Sequence, residues 1–417
     1  MAAHVHAGVR CAAICLIAAL AAPLRAQLTT EVTSVADQKR PEWAPLGIAM
    51  GPWTAFPSLE LGALGTTNAR ATPGRGKSDL AAVATADLLL QSDWGRHALS
   101  AETYVKRSRY ASLGQEGRTD YGAKATARYD LSATSSIGWT GYYGRLTEAR
   151  EEINAPADAR SPAQFDQLRG ELTYARDNDL IQIEARALLD RRAYRSYTSF
   201  AGLRIDQGER DFTRYQGSLK IGYALSGSLS AIVAGSVNRR VFDQRSAGGL
   251  DRGSKGGTVE GGLLWRPNEH VSIEARGGWL IQRFKDPRLN DAKGLSLNAR
   301  AIWNMIPRTS FRLEAARRIS ESSAPTVESQ LVTTVKAGID RELLPNVVLT
   351  AEGAYDRIDY TGVRRRATEY RAELRASYLL SRLTSMSASI QHVKRSATIA
   401  SDRFTGQRAL LAIKFSL

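Results

Sequence analysis

Three stretches of the chain set tyrosines eight residues apart, with small or apolar side chains at every second place and charged ones between them. They are "YGAKATARY" from Tyr121 to Tyr129, "YQGSLKIGY" from Tyr215 to Tyr223 and "YRAELRASY" from Tyr370 to Tyr378. A helix turns by about 100° per residue and would scatter this pattern around its axis, whereas an extended strand gathers it on one side. The stretches read as strands. Eight residues at about 3.3 Å each span roughly 26 Å, or about 20 Å along a membrane normal at a tilt near 40°. That is close to the apolar band of about 25 Å in transmembrane barrels, so the paired tyrosines are expected to mark two membrane interfaces.

The same alternation recurs elsewhere. Outward sets are predicted at Leu168–Tyr174, Ile181–Leu189, Leu229–Val237, Val271–Ile281 and Leu295–Trp303, taking every second residue, with Arg, Glu and Asn between them. A soluble sandwich also alternates, but it must fill its core with large residues; a lipid-facing surface tolerates the Ala and Gly found here. Tyr129, Tyr174, Tyr223, Trp265, Trp303 and Tyr378 all fall on the outward parity just before a turn, as an aromatic girdle requires, with Tyr121, Tyr215 and Tyr370 at the opposite edge.

Turn signals punctuate the chain about every 40 residues: "SDWG" (92–95), "DLSAT" (130–134), "RDND" (176–179), "LSGS" (225–228), "RPNEH" (266–270), "IPRT" (306–309), "LPN" (344–346) and "LSRL" (380–383). The spacing suits two strands of about ten residues, one tight turn and one long loop. Eight turns and nine loops predict about 18 strands, within a range of 16–18, from near Trp53 to Leu417. The expected fold is an all-β, up-and-down antiparallel transmembrane barrel over 51–417. "EEINAPADARSP" (151–162), "RSYTSFAGLRIDQGE" (195–209), "DQRSAGGLDRGSKGG" (243–257) and "KDPRLNDAKG" (285–294) read as mobile surface loops.

Residues 1–26 have the plan of a cleaved secretory signal, with Arg10, an apolar core from Cys11 to Ala22 and a cut after Ala26. Residues 27–50 then form a short periplasmic segment. Cys11 and Cys15 leave with the signal, so neither disulfides nor Cys-based zinc sites are expected, and His97, His270 and His392 lack ligand spacing. No metal or other cofactor is expected. The formal charge is +15, and loss of Arg10 and Arg25 leaves +13. A chain this basic meets anions, but its charges alternate with apolar residues instead of clustering, which speaks against nucleic acid.

The last strand, "TGQRALLAIKFSL", sets Ala409, Leu411, Ile413, Phe415 and Leu417 on one face. It resembles the signal by which the outer-membrane assembly machinery recognises its clients, with Leu417 where Phe is commoner. The segment Arg40–Arg70 resembles the opening of a family of outer-membrane β-barrel porins associated with exopolysaccharide biosynthesis and export clusters. Arg40, Pro41, Glu42, Pro45, Gly47, Ile48, Gly51, Pro57, Leu59 and Asn68 fit its pattern. Trp43, Ala49, Pro52-Trp53 and Thr66-Thr67 depart from it. The resemblance implies a Gram-negative outer-membrane location and a pore.

If parity holds, Arg128, Arg186, Lys220, Arg276, Arg300, Arg312, Arg371, Arg375 and Arg408 line the interior, accompanied by Glu171, Glu184, Glu274, Glu314, Glu352 and Glu373. Two expectations follow. Arg and Glu on neighbouring strands would form a ladder of ion pairs around a wet lumen, or a cationic excess would make a track for small anions or an anionic polysaccharide, as charged rings do in pores. The other partners expected are outer-membrane lipid and the assembly machinery; the oligomeric state is left open. An alternative is a structural barrel or one with enzymatic activity at its rim, such as a lipid hydrolase. No nucleophile with a positioned base stands out, so no catalytic residue is assigned.

Overall fold

A computed structural model describes residues 32–74, 76–246, 248–321 and 329–417. The expected signal at 1–26, with its two cysteines, lies outside the described residues.

The outward parity read from the sequence recurs in strand after strand from Trp53 to Ser416, shifting register only at bulges near the turns after Trp265, Trp303 and Glu342, and produces one closed wall. Its strands are β1 (Trp53–Thr66), β2 (Asp79–Ser92), β3 (Ala98–Tyr110), β4 (Arg118–Asp130), β5 (Ser135–Thr147) and β6 (Gln164–Asp177). They continue with β7 (Ile181–Tyr194), β8 (Phe212–Ala224), β9 (Leu229–Phe242), β10 (Ser254–Asn268), β11 (Val271–Phe284) and β12 (Ala292–Ile306). The wall ends with β13 (Thr309–Glu321), β14 (Ser329–Leu344), β15 (Val347–Tyr360), β16 (Arg366–Leu379), β17 (Thr384–Ala397) and β18 (Phe404–Ser416). Each strand pairs antiparallel with its chain neighbours, and β1 pairs with β18 to close the barrel. Closure removes every unpaired edge, which the hydrocarbon core demands because it offers no water to satisfy backbone groups.

The strands number eighteen, as the turns predicted, but they are longer than ten residues. They run from 13 residues, as in β3, to 16, in β14. The surplus projects past the apolar band and carries the wall beyond the membrane. All eight predicted turns fall at strand junctions of one rim, which by the barrel rule is the periplasmic one, and both ends of the wall lie there. A small hairpin precedes β1, with Ile48–Met50 returning onto Trp53–Ala55. Its corner is Gly51 at φ 63 followed by Pro52, and the positive φ at the first corner position is what selects glycine.

Interior and exterior are fixed by contacts that only a chord can make. Lys220 of β8 reaches Glu274 of β11 at 2.7 Å, three strands away around the wall. The opposite parity, including Val233, Val237, Val259, Trp279, Leu295, Leu374 and Ile390, is exposed, as a lipid-facing surface is in an isolated chain. The tyrosines and tryptophans assigned to the girdle all have this parity. Tyr129, Tyr215, Tyr223, Trp265, Trp303, Tyr370 and Tyr378 are exposed, and Tyr121 and Tyr174 are half-buried by neighbours.

Candidate functional site: the lumen and its two mouths

Each of the nine cations assigned to the interior points inward and meets a carboxylate. Arg186 touches Glu184 at 2.9 Å and Glu171 at 3.8 Å, and Arg276 bridges Glu274 at 3.0 Å and Glu260 at 3.3 Å. Arg312 holds the fully buried Asp340 at 2.6 Å and Glu352 at 3.4 Å. Arg300 faces Glu314 at 3.8 Å, directly across β12 and β13.

Many pairs run along one strand instead of between strands. Arg128–Asp130 (2.7 Å), Arg169–Glu171 (2.9 Å), Arg375–Glu373 (2.6 Å) and Arg371–Glu369 are of this kind. Residues i and i+2 share a face about 6.6 Å apart, within reach of an arginine fork, so this geometry competes well with the cross-strand pairing expected from sequence. The interior is therefore a nearly balanced lattice of fixed charges. The basic excess of the chain lies elsewhere: outward positions at the loop ends of the strands hold Arg107, Arg109, Arg145, Arg191, Arg239, Lys255, Arg283, Lys293, Arg317, Arg357, Arg366 and Lys394, against few acids, among them Asp166, Asp359 and Asp243, which pairs with Arg191 at 2.7 Å.

The outer mouth is crossed by a strap. The connection 148–163 between β5 and β6 contains the stretch 151–162 that reads as a mobile surface loop; in the structure its first residues run inward and fasten to the far wall. Arg150 meets Glu116 of the β3–β4 loop at 2.9 Å, and Glu151 meets Arg408 of β18 at 2.6 Å. The Glu151 carbonyl accepts a hydrogen bond from Arg395 of β17, and Asn154 accepts one from Gln330 of β14 at 3.0 Å. Ile153 packs on a cluster of Val332, Ile358, Tyr360 and Ala367. Arg210, from the loop 195–211, clamps the root of the strap through Glu148 at 2.6 Å. The cause is electrostatic: the Glu151 carboxylate pairs with Arg408 of β18, while Arg395 of β17, itself paired with Glu369 of the wall, holds the Glu151 carbonyl.

Burial raises the Glu151 carboxyl, but the Arg408 guanidinium outweighs it and holds the group down to about 2. Its neighbour Glu152 goes the other way. Burial first, then the carboxylates of Glu151 and Glu148, push it up to about 7. The strap thus carries one carboxylate ionised at any physiological pH and one that titrates near neutrality.

The periplasmic mouth is narrowed by the segment that leads toward the first strand. Residues 32–40 lie along the inner wall of β12 to β15. The Val35 N–H donates to Ser310 Oγ at 2.7 Å, Asn304 Nδ2 donates to the Thr33 carbonyl at 2.8 Å, and Arg40 pairs with Glu342 at 3.1 Å. Ser34, Ser310 and Asp340 are fully buried there. Glu42 continues the contact, its carbonyl accepting from Arg382 of the last turn at 3.1 Å. Sequence reasoning did not single out Glu151, Asp340 or Ser310, because nothing local distinguishes them.

His97 sits in a turn at φ 66, stacks on Tyr129 at 4.2 Å and accepts the Asp130 N–H on Nδ1 at 3.0 Å. His392 points outward from β17. No group of three metal-ligating side chains exists among the described residues.

The sequence profile of the family described as "Putative beta-barrel porin 2" matches residues 40–417. Among solved structures, the chain is similar to OpdL of Pseudomonas aeruginosa, with 12% identity, 88% of this chain and 99% of that chain covered and a TM-score of 0.46. A BenF-like porin from Pseudomonas fluorescens Pf-5 gives 11% identity, coverage of 87% and 99%, and 0.47. The siderophore receptor PirA from Pseudomonas aeruginosa gives 7% identity, coverage of 87% and 80%, and 0.47. No curated protein matches the sequence.

Proposed function

The chain belongs to the β-barrel porin family whose profile spans residues 40–417, and from that premise we propose that it is an outer-membrane pore for hydrophilic anionic solutes, narrowed at the outer mouth by the strap. The observation that carries this reading is the interior lattice. Arginine forks such as those of Arg186 and Arg312, partly exposed and already shared between two carboxylates, present spare N–H donors to a passing oxygen-rich solute while the carboxylates limit how tightly an anion is held. Binding weak enough to release is what conduction needs. Because the fixed charges nearly cancel, the preference for anions is modest. An acidic polysaccharide presents the same chemistry repeated along a chain, and its passage requires the strap to lift.

Planar-bilayer recordings test this. Under a salt gradient the reversal potential is expected to show a mild anion preference, and short oligouronates are expected to block the current at concentrations where neutral maltooligosaccharides do not. A silent barrel, or equal block by both sugars, rejects the proposal.

A further inference from the structure

We propose that the outer rim of the barrel binds the phosphates of a polyphosphorylated lipid of the outer leaflet, through a cross-strand row formed by Arg239, Lys255 and Arg283. The three residues are register partners, Arg239 with Lys255 and Lys255 with Arg283, and all three are exposed on the lipid-facing parity. Lys293 extends the row, since its register partner Ile281 lies two residues from Arg283 on the same face. None of the four makes an ion pair among the described residues. Like charges placed directly opposite on neighbouring strands destabilise a sheet, so a row of three without internal carboxylates calls for anions from outside.

The height of the row identifies the anions. Arg239 is the register partner of Tyr215, the outer member of its tyrosine pair. The other two outer tyrosines are matched in the same way, Tyr121 with Arg145, whose guanidinium lies 5.5 Å from the ring, and Tyr370 with Lys394. On the following strand the inner tyrosines have aliphatic partners instead: Tyr129, which also stacks on His97, faces Ile137, Tyr223 faces Ala231 and Tyr378 faces Met386. A tyrosine marks headgroup level, and the outward cations are concentrated at the outer end, with Arg176 and Arg341 their exposed counterparts on the lipid-facing parity at the inner end; the imbalance specifies phosphates of the outer leaflet. Below the row, Leu172, Ala187, Gly217 and Val237 line a shallow groove on the outer face, with Arg239 and Lys255 at its upper end. Small residues in the groove leave room for an acyl chain whose headgroup then meets the cations.

The proposal commits to a lipid phosphate and not to a soluble anion. The purified full-length barrel in neutral detergent is titrated with bis-phosphorylated lipid A, with fully dephosphorylated lipid A and with inorganic pyrophosphate, reading the unfolding temperature and the bound mass by native mass spectrometry. Only the phosphorylated lipid is expected to bind and stabilise. Each interfacial cation near an anionic surface contributes about a factor of five, so the triple variant R239S/K255S/R283S is expected to bind about a hundredfold more weakly. The conservative R239K/R283K variant is expected to keep binding, which separates charge from folding; heat-modifiable gel mobility checks that each variant is a closed barrel. Undiminished binding by a folded triple variant, equal binding of the dephosphorylated lipid, or an equal response to pyrophosphate alone would overturn the proposal.

Discussion

The two mouths of the barrel are both narrowed by chain, but by different forces. At the outer mouth the strap is held by charge: Glu151 on Arg408, Arg150 on Glu116, Arg210 on Glu148. At the periplasmic mouth residues 32–40 are held chiefly by backbone hydrogen bonds to Ser310 and Asn304, with Arg40–Glu342 as the ionic tie to the wall among the described residues. Hydrogen bonds between neutral groups respond little to pH and salt, whereas a cluster of buried carboxylates responds to both. The comparison assigns responsiveness to the outer mouth and permanence to the inner one.

The largest effect is expected from cutting the strap's ionic anchor. Arg408→Ala leaves Glu151 buried without its cation, a loss of about 3 kcal/mol in strap docking, and single-channel conductance should rise severalfold while the barrel stays folded by gel mobility. Unchanged conductance would mean that the strap does not obstruct the path.

A smaller effect is expected from pH. Glu152, raised from 4.5 to about 7 in the docked strap, binds its proton more tightly docked than released. Its contribution to docking is therefore fully present below 4.5 and lost as pH rises through about 7. Conductance should climb between pH 6 and 8, and Glu152→Gln should flatten that step. A step that survives in Glu152→Gln locates the sensor elsewhere.

The smallest effect belongs to the inner mouth. Ser310→Ala removes the acceptor for the Val35 N–H at a cost of about 1 kcal/mol. Hydrogen exchange at Val35 should accelerate roughly fivefold with no change in the pH profile of the current. A shifted pH profile would show that the two mouths are coupled.

The wall was legible in the sequence because each strand has lipid on one side and water on the other, which writes a period of two into almost every segment. Turn residues such as Asn268, whose side chain accepts the His270 N–H at 2.9 Å, announced the periplasmic rim for equally local reasons. The strap was not legible. Its path depends on Glu151 meeting Arg408, 257 residues away, and no composition rule separates such a loop from one that stays in solvent. The inward parity of the nine cations was readable, yet their pairing along strands was not, since arginine reaches i+2 and the neighbouring strand equally well. The outer cations were on the page as well: Arg239 and Lys394 follow the outward parity just past the aliphatic run, but charge counted over the whole chain hid which face held the excess.

Pairs such as Arg371–Glu369, Arg375–Glu373 and Arg128–Asp130 join residues of one strand. A hairpin entering the bilayer during assembly therefore brings its own counterions and has no need to wait for a distant partner to arrive. Insertion can proceed segment by segment without stranding a lone lumenal charge in hydrocarbon, and the inner face of the wall is close to neutral before the first strand meets the last.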